Sequence, residues 1–61
     1  MEALKSQRKK MNLCQQQIAD GVGISRQYYS NIENGKRPPS VALAKRIAAF
    51  LNVEWTIFFA E

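Results

Sequence analysis

Apolar residues recur along this chain at helical spacing. Leu4 and Met11, with Arg8 between them, fall on one face of a helix predicted from about Glu2 to Met11, and Asn12 is its natural stop. Ile18, Ala19 and Val22 form the apolar side of a second helix that begins near Cys14 or Gln15 and ends near Val22. Gly21 lies inside it at a cost of about 1 kcal/mol relative to alanine, so a loose last turn is expected. Tyr29 and Ile32, three apart, mark the buried face of a third helix, capped by Ser25 and ended by Asn34-Gly35. Pro38-Pro39 break the chain, because the residue before a proline is kept out of the helical region. Ser40 then caps a fourth helix reaching Leu51, with Val41, Ala44, Ile47, Ala48 and Leu51 as its core stripe. A short last helix is predicted from about Glu54 to Phe59. With no linker, repeat or low-complexity tract, residues 1–61 read as one all-α domain of five short helices.

Composition narrows what such a domain can do. A chain of 61 residues buries only about 60% of the surface it exposes when unfolded, so its stability margin is thin. Cys14 is the only cysteine, which excludes an internal disulfide. Histidine is absent, and with it the commonest general base and metal ligand. The five acids, Glu2, Asp20, Glu33, Glu54 and Glu61, all stand more than four positions apart. There is no carboxylate pair and no glycine-rich phosphate loop. The pattern speaks against an enzyme, a metal site or a cofactor. The net charge of +4 suits nucleic acid or an anionic membrane. The apolar stretches fall well short of the roughly 20 residues that cross a bilayer. The N-terminal stretch carries Glu2, Lys5, Arg8, Lys9 and Lys10 and does not read as a secretory signal. A soluble, cytoplasmic chain with a reduced thiol is the expectation.

The stretch from Gln15 to Glu33 carries the function. Two helices that cross steeply need a small side chain at the crossing, which Ala19 supplies. The tight turn between them needs a positive φ angle, which Gly23 supplies without steric cost. Tyr29 and Ile32 bury one side of the second helix of the pair. Arg26, Gln27, Tyr28, Ser30 and Asn31 are left for solvent. Arginine pairs with guanine, and glutamine or asparagine with adenine, so this face suits the edges of base pairs in a major groove. The competing reading is a polar face that merely keeps the helix solvated.

The run Gln15-Gln16-Gln17-Ile18-Ala19-Asp20-Gly21-Val22-Gly23-Ile24-Ser25-Arg26, followed by Ile32-Glu33-Asn34-Gly35-Lys36-Arg37 and Pro39-Ser40, resembles the phage-repressor and Cro type of helix-turn-helix, the Xre family. The resemblance covers nearly the whole chain. It implies a compact five-helix, lambda-repressor-like domain that binds a palindromic operator in double-stranded DNA as a homodimer and regulates transcription. Carried onto this sequence, it makes Gln15 a phosphate contact at the start of the second helix. Arg26, Gln27 and Asn31 become base contacts, flanked by Tyr28 and Ser30. Asn34, Lys36 and Arg37 match a loop that clamps the phosphate backbone, and Lys9 and Lys10 join the phosphate contacts. It also implies a structural ion pair between Arg8 and Glu33. A phosphate contact by Arg8, like its neighbours, is the competing reading.

Several positions depart from the family pattern. Cys14 stands where serine or threonine usually caps the second helix, and a thiol is a weak acceptor. Tyr29 replaces an aliphatic residue, so its hydroxyl needs a partner or a route to water. Which of Tyr28 and Tyr29 is the more buried is left open. Gln7 also replaces an aliphatic residue, which predicts looser packing of the first helix. Towards the C-terminal end, Leu43 and Phe50 form a second stripe. Ile57 and Phe59 lie beyond Trp55 and Phe58, which suffice to close the core. Such a surplus marks an interface, and Leu43, Phe50, Ile57 and Phe59 are the expected dimer contact. The rival is that the last helix folds over and buries them all. A functional rival is a protein–protein adaptor, such as an antitoxin that chiefly holds a partner. A detached module of a longer regulator is the third reading, disfavoured because the chain ends soon after the last predicted helix.

Overall fold

The computed structural model describes residues 2–59. Four α-helices follow one another: α1 (Glu2–Lys10), α2 (Gln15–Val22), α3 (Arg26–Glu33) and α4 (Val41–Leu51). A single 3₁₀ turn, Trp55–Phe58, closes the described chain. The all-α class agrees with the sequence, but the fifth helix is a correction. Its bonds run three residues back, from the Ile57 N–H to the Glu54 carbonyl at 3.2 Å and from the Phe59 N–H to the Thr56 carbonyl at 3.0 Å. Thr56, Ile57 and the flanking aromatics are poor helix formers, and one tight turn is enough to tuck Phe58 into the core.

The helix ends follow from particular residues. Asn12 takes φ 57° after α1, and Asn52 takes φ 59° after α4. Gly23 takes φ 82° after α2, where the Ala19 carbonyl accepts both the Gly23 and Ile24 N–H groups at 2.9 Å. Arg46 of α4 adds its guanidinium to the Val22 carbonyl at the same end. The Ser25 hydroxyl accepts the Tyr28 N–H at 3.1 Å, and the Ser40 hydroxyl accepts the Leu43 N–H at 3.1 Å. At the start of α2 the Gln17 side chain reaches back and accepts the Cys14 N–H at 2.8 Å. That arm of a capping box supports a helix start whose own cap is a thiol.

The core gathers Leu4, Ile18, Ala19, Val22, Tyr29, Ile32, Leu43, Ala44, Ile47, Ala48, Leu51 and Phe58. Here α2 packs on α3 and α4, α1 on α3, and the 3₁₀ turn on α4. Four expectations need correction. Met11 is exposed because the chain has left α1 by that residue. Val41 is half exposed at the first position of α4, whereas Leu43 is only 8% exposed and belongs to the core. Gln7 does not loosen α1; its amide donates to the Leu51 carbonyl at 2.9 Å and ties α1 to the end of α4. Gly21 is no defect either, because it lies beneath the Phe50 ring. A Cβ on residue 21 would sit 2.7 Å from Cζ and 2.9 Å from Cδ2 of that ring. Glycine there is a close approach between two helices. No helix among the described residues is long and apolar enough to cross a membrane.

The contact between Gly21 and Phe50 has a measurable signature. In a Phe50→Ala background, Gly21→Ala is expected to stabilise by about 1 kcal/mol, the ordinary propensity gain. In the parent chain the ring must swing away, so the same change is expected to be neutral or destabilising. Thermal melts of the four proteins decide this, and equal effects in both backgrounds would remove the ring as the constraint.

Candidate nucleic-acid interface

The surface of α3 is set by what the helix hides. Glu33, at its last position, is 1% exposed. Its Oε2 accepts the Arg8 Nε–H at 2.8 Å and the Tyr29 hydroxyl at 2.9 Å. Its Oε1 accepts Arg8 Nη2 at 3.0 Å and the Gln15 amide at 3.1 Å. Arg8 spends its remaining nitrogen on the Leu13 carbonyl at 3.0 Å. The arginine therefore joins Glu33 in a two-point ion pair, and its guanidinium is spent on partners within the fold. Tyr29 is the buried tyrosine, and its hydroxyl finds the partner the sequence left unnamed.

Charge follows from this geometry. Burial pushes the Glu33 carboxyl up, but the bonds from Arg8, Gln15 and Tyr29 together outweigh it, and the group titrates below its ordinary value. Burial, and then the bond to Glu33, push the Tyr29 hydroxyl far above the usual tyrosine range. The same carboxylate raises the Arg8 guanidinium still further.

With Tyr29, Ile32 and Glu33 inward, the opposite side of α3 is fixed. Arg26 and Gln27 are exposed, while Tyr28, Ser30 and Asn31 are half-buried. The Gln27 amide donates to Asn31 Oδ1 at 3.3 Å, one turn along. Arg26 Nη1 donates to Gln15 Oε1 at 3.4 Å across the turn. Past the helix, the Asn31 carbonyl accepts the Lys36 N–H at 2.8 Å and the Arg37 N–H at 3.3 Å. Those bonds, with Gly35 at φ 75°, fold the loop against the end of α3. Asn34 donates to the Ser30 hydroxyl at 3.4 Å, and the Arg37 guanidinium lies 5.9 Å above the Tyr28 ring. Lys9, Lys10, Asn34, Lys36 and Arg37 are all exposed. Through Asn34 on Ser30 and Arg37 over Tyr28, the loop after α3 adjoins the outer side of that helix.

A family model described as helix-turn-helix matches residues 4–58. The chain belongs to the helix-turn-helix family. Within it the chain is of the Cro and phage-repressor type, a DNA-binding protein and not an enzyme. It is 43% identical over 58 residues to an uncharacterized HTH-type transcriptional regulator, YqaF, of Bacillus subtilis, covering 95% of this chain and 76% of that one. It is 39% identical over 54 residues to the ImmF control region 10 kDa protein of Bacillus phage phi105, covering 88% of this chain and 60% of that one. It is 35% identical to the control protein C.MunI of a Mycoplasma species, covering 93% and 77% of the two chains. No solved structure matches the chain.

The four expected interface residues of this helix-turn-helix chain separate into two groups. Leu43 is a correction, because it is buried within the fold and has little surface to offer a partner. Ile57 is half-buried and packs against the core. Phe50 and Phe59 remain exposed, at 38% and 45%. Phe59 meets Trp55 edge-to-face, with ring centroids 6.1 Å apart, and Lys45 lies 5.1 Å over the Trp55 ring. Trp55 is half-buried and packs against the core, which Phe58 enters more deeply. Sequence reasoning missed the roles of Gln7, Gln17 and Arg46. It also missed the Tyr29–Glu33 bond, whose signal was present as an i, i+4 spacing on one helix.

Removing one member of the buried cluster should cost far more than a surface change. Arg8→Ala leaves a buried carboxylate without its cation and is expected to destabilise by about 3–5 kcal/mol in urea melts. Near-parental stability would show that the pair carries no such penalty. The pH dependence has two sides. Because the Glu33 carboxyl is lowered, its contribution is present above the ordinary carboxylate range of about 4.3 and is lost as pH falls through the lowered value. Because the Tyr29 hydroxyl is raised, its contribution holds below about pH 10 and fades as pH rises towards the raised value. Glu33→Gln is expected to flatten the acid limb of a plot of melting temperature against pH, and Tyr29→Phe the alkaline limb. Unchanged limbs would contradict the assignment.

Proposed function

We propose that this protein is a transcriptional regulator that acts in the cytoplasm, as one domain, by binding a roughly palindromic operator as a homodimer. The observation that carries the reading is the fixed rotation of α3. Tyr29, Ile32 and Glu33 hold its inner side, and Arg26, Gln27 and Asn31 are turned the other way. In this reading α3 enters the major groove. Arg26, Gln27 and Asn31 read base edges with about 1–3 kcal/mol of discrimination for each good bidentate pair. Tyr28 and Ser30 flank them. Gln15, Asn34, Lys36, Arg37, Lys9 and Lys10 meet phosphates, which fix the register and supply salt-dependent affinity through counterion release. Two copies place their α3 helices in successive major grooves about 34 Å apart. The names of the relatives, as regulators and control proteins, support the same reading.

The exposed Phe50 and Phe59 rings support the dimer, and with Leu43 buried the contact rests on them and on the edge of Ile57. The same rings also favour the second reading, a surface that holds a different protein. Light scattering at micromolar concentration separates the two: a dimer without DNA is expected, and a strict monomer would favour the adaptor.

Two substitutions test the DNA reading itself. Gln27→Ala is expected to lose discrimination at one or two base pairs. Lys36→Ala should weaken binding evenly across sequences and reduce the salt slope by about one. Titrations on specific and random DNA check both, and equal effects of the two substitutions on both DNAs would overturn the assignment of α3.

A further inference from the structure

A cleft of about 350 Å³ opens where the start of α1, the loop after α3 and the 3₁₀ turn meet. That volume lies at the small end of the range for ligand sites and suits a molecule of amino-acid size. Ile32, Pro38, Pro39, Ile57 and Phe58 line it with apolar surface. Two residues of opposite charge, Glu2 and Arg37, line it as well. Both are exposed. Among the described residues neither is in an ion pair, because Arg8–Glu33 is the one pair there. An apolar hollow on which a few polar groups converge is the usual make-up of a small-molecule site.

We propose that this cleft binds a free apolar α-amino acid, and that its occupancy competes with DNA for Arg37. Each part of such a ligand has a counterpart. The side chain leaves water for the surface of Ile32, Ile57, Phe58 and the two prolines. The carboxylate pairs with the Arg37 guanidinium, whose fork fits it at two points. The ammonium pairs with Glu2. A ligand with a carboxylate alone would meet Glu2 uncompensated, and one with an ammonium alone would meet Arg37. The cleft therefore selects both charges on one small molecule. The consequence for DNA follows from where Arg37 stands. Its guanidinium lies 5.9 Å over the Tyr28 ring of α3, so the residue that lines the cleft also adjoins the outer side of that helix. One guanidinium held by a carboxylate in the cleft is withdrawn from a phosphate. Ligand binding stands on the cleft alone, whereas the competition rests on the proposed reading of α3 and its loop.

The probe is L-phenylalanine, titrated into the protein without DNA and followed by NMR of the backbone amides. Saturable shifts are expected at Ala3, Ile32, Gly35, Ile57 and Phe58, with millimolar or tighter affinity. Hydrocinnamate and phenethylamine each lack one of the two charges and are expected to bind about fivefold more weakly, the value of one exposed ion pair. L-Phenylalanine should lose the same factor on Glu2→Gln and on Arg37→Gln. Shifts that do not saturate, or that fall elsewhere on the fold, would overturn the site. Equal affinity for hydrocinnamate and L-phenylalanine would overturn the ligand class. Fluorescence anisotropy on a site selected from a random DNA pool then reads the competition. Filling the cleft with L-phenylalanine is expected to weaken DNA binding several-fold. The concentration that does so should rise about fivefold in Glu2→Gln, whose affinity for DNA without ligand stays that of the parent. Unchanged DNA affinity at concentrations that fill the cleft would overturn the competition. A parent that binds no DNA at all would take down the reading of α3 and the competition with it, while the NMR titration still decides the cleft.

Discussion

Glu33 is a carboxylate held almost wholly out of water in a chain of 61 residues, and only its partners keep it charged there. Arg8 comes from α1, Gln15 from α2 and Tyr29 from α3 itself. Each partner has one geometry in which the carboxylate is satisfied, so the three helices are placed relative to one another by a single group. Replacing such a cluster with apolar residues of the same volume is often neutral or stabilising elsewhere. What apolar residues do not supply is a fixed angle, because a greasy contact tolerates rotation and a two-point ion pair does not. In a domain with so small a core, direction has to come from polar groups of this kind.

In the proposed reading, that direction is what the outer face needs. A helix that reads base edges must present particular side chains within tight limits of distance and angle, since hydrogen bonds weaken steeply when misaligned. The turn before α3 contributes through Gly23, whose φ of 82° carries the chain back on itself, and through Ser25, which caps the helix that follows. The loop after α3 contributes through the Asn31 carbonyl, which gathers the N–H groups of Lys36 and Arg37. Both ends of α3 are thereby held, and Glu33 stops it from rolling. The basic loop and the polar face then keep a constant spacing.

Most of this architecture was legible in the residues, because it rests on local rules. Ser25, Ser40 and Gly23 mark boundaries by chemistry that acts within one turn. Ile18, Ala19, Val22, Ile47 and Leu51 repeat at the helical period and are buried as that period implies. The misreadings share a different cause. Val41 and Met11 fit the period, but whether a position at a helix end is covered depends on what packs beyond it. Leu43 lay off the expected stripe, yet the core face of α4 is wide enough to take it in. Gly21 looked like a flaw because its reason, the Phe50 ring, is 29 positions away in sequence. The partners of Gln7 and Arg46 are backbone carbonyls, which carry no trace in a sequence. The buried pair was legible only through family resemblance, since nothing in the spacing of Arg8 and Glu33 brings them together.

The polar face of α3 is not a row of idle groups waiting for bases. Gln27 already holds Asn31, and Arg26 already holds Gln15. A base contact that uses the same atoms exchanges an existing bond for a new one, and its net value is then the difference between the two. The internal bonds are long, 3.3 and 3.4 Å, and lie at the surface, so they are weak enough to give up. In the proposed reading, a matching base edge offers shorter, two-point bonds and wins the exchange. A mismatched edge does not, and its side chains fall back on their internal partners. This arrangement trims the gain on the correct sequence slightly, but it keeps the side chains extended and aimed, so less order has to be created on binding. On that proposal, selectivity comes from the contrast between a two-point bond and the modest internal bond it replaces, and that contrast depends on the helix not moving. The immobile carboxylate beneath the face is what makes so small a difference usable.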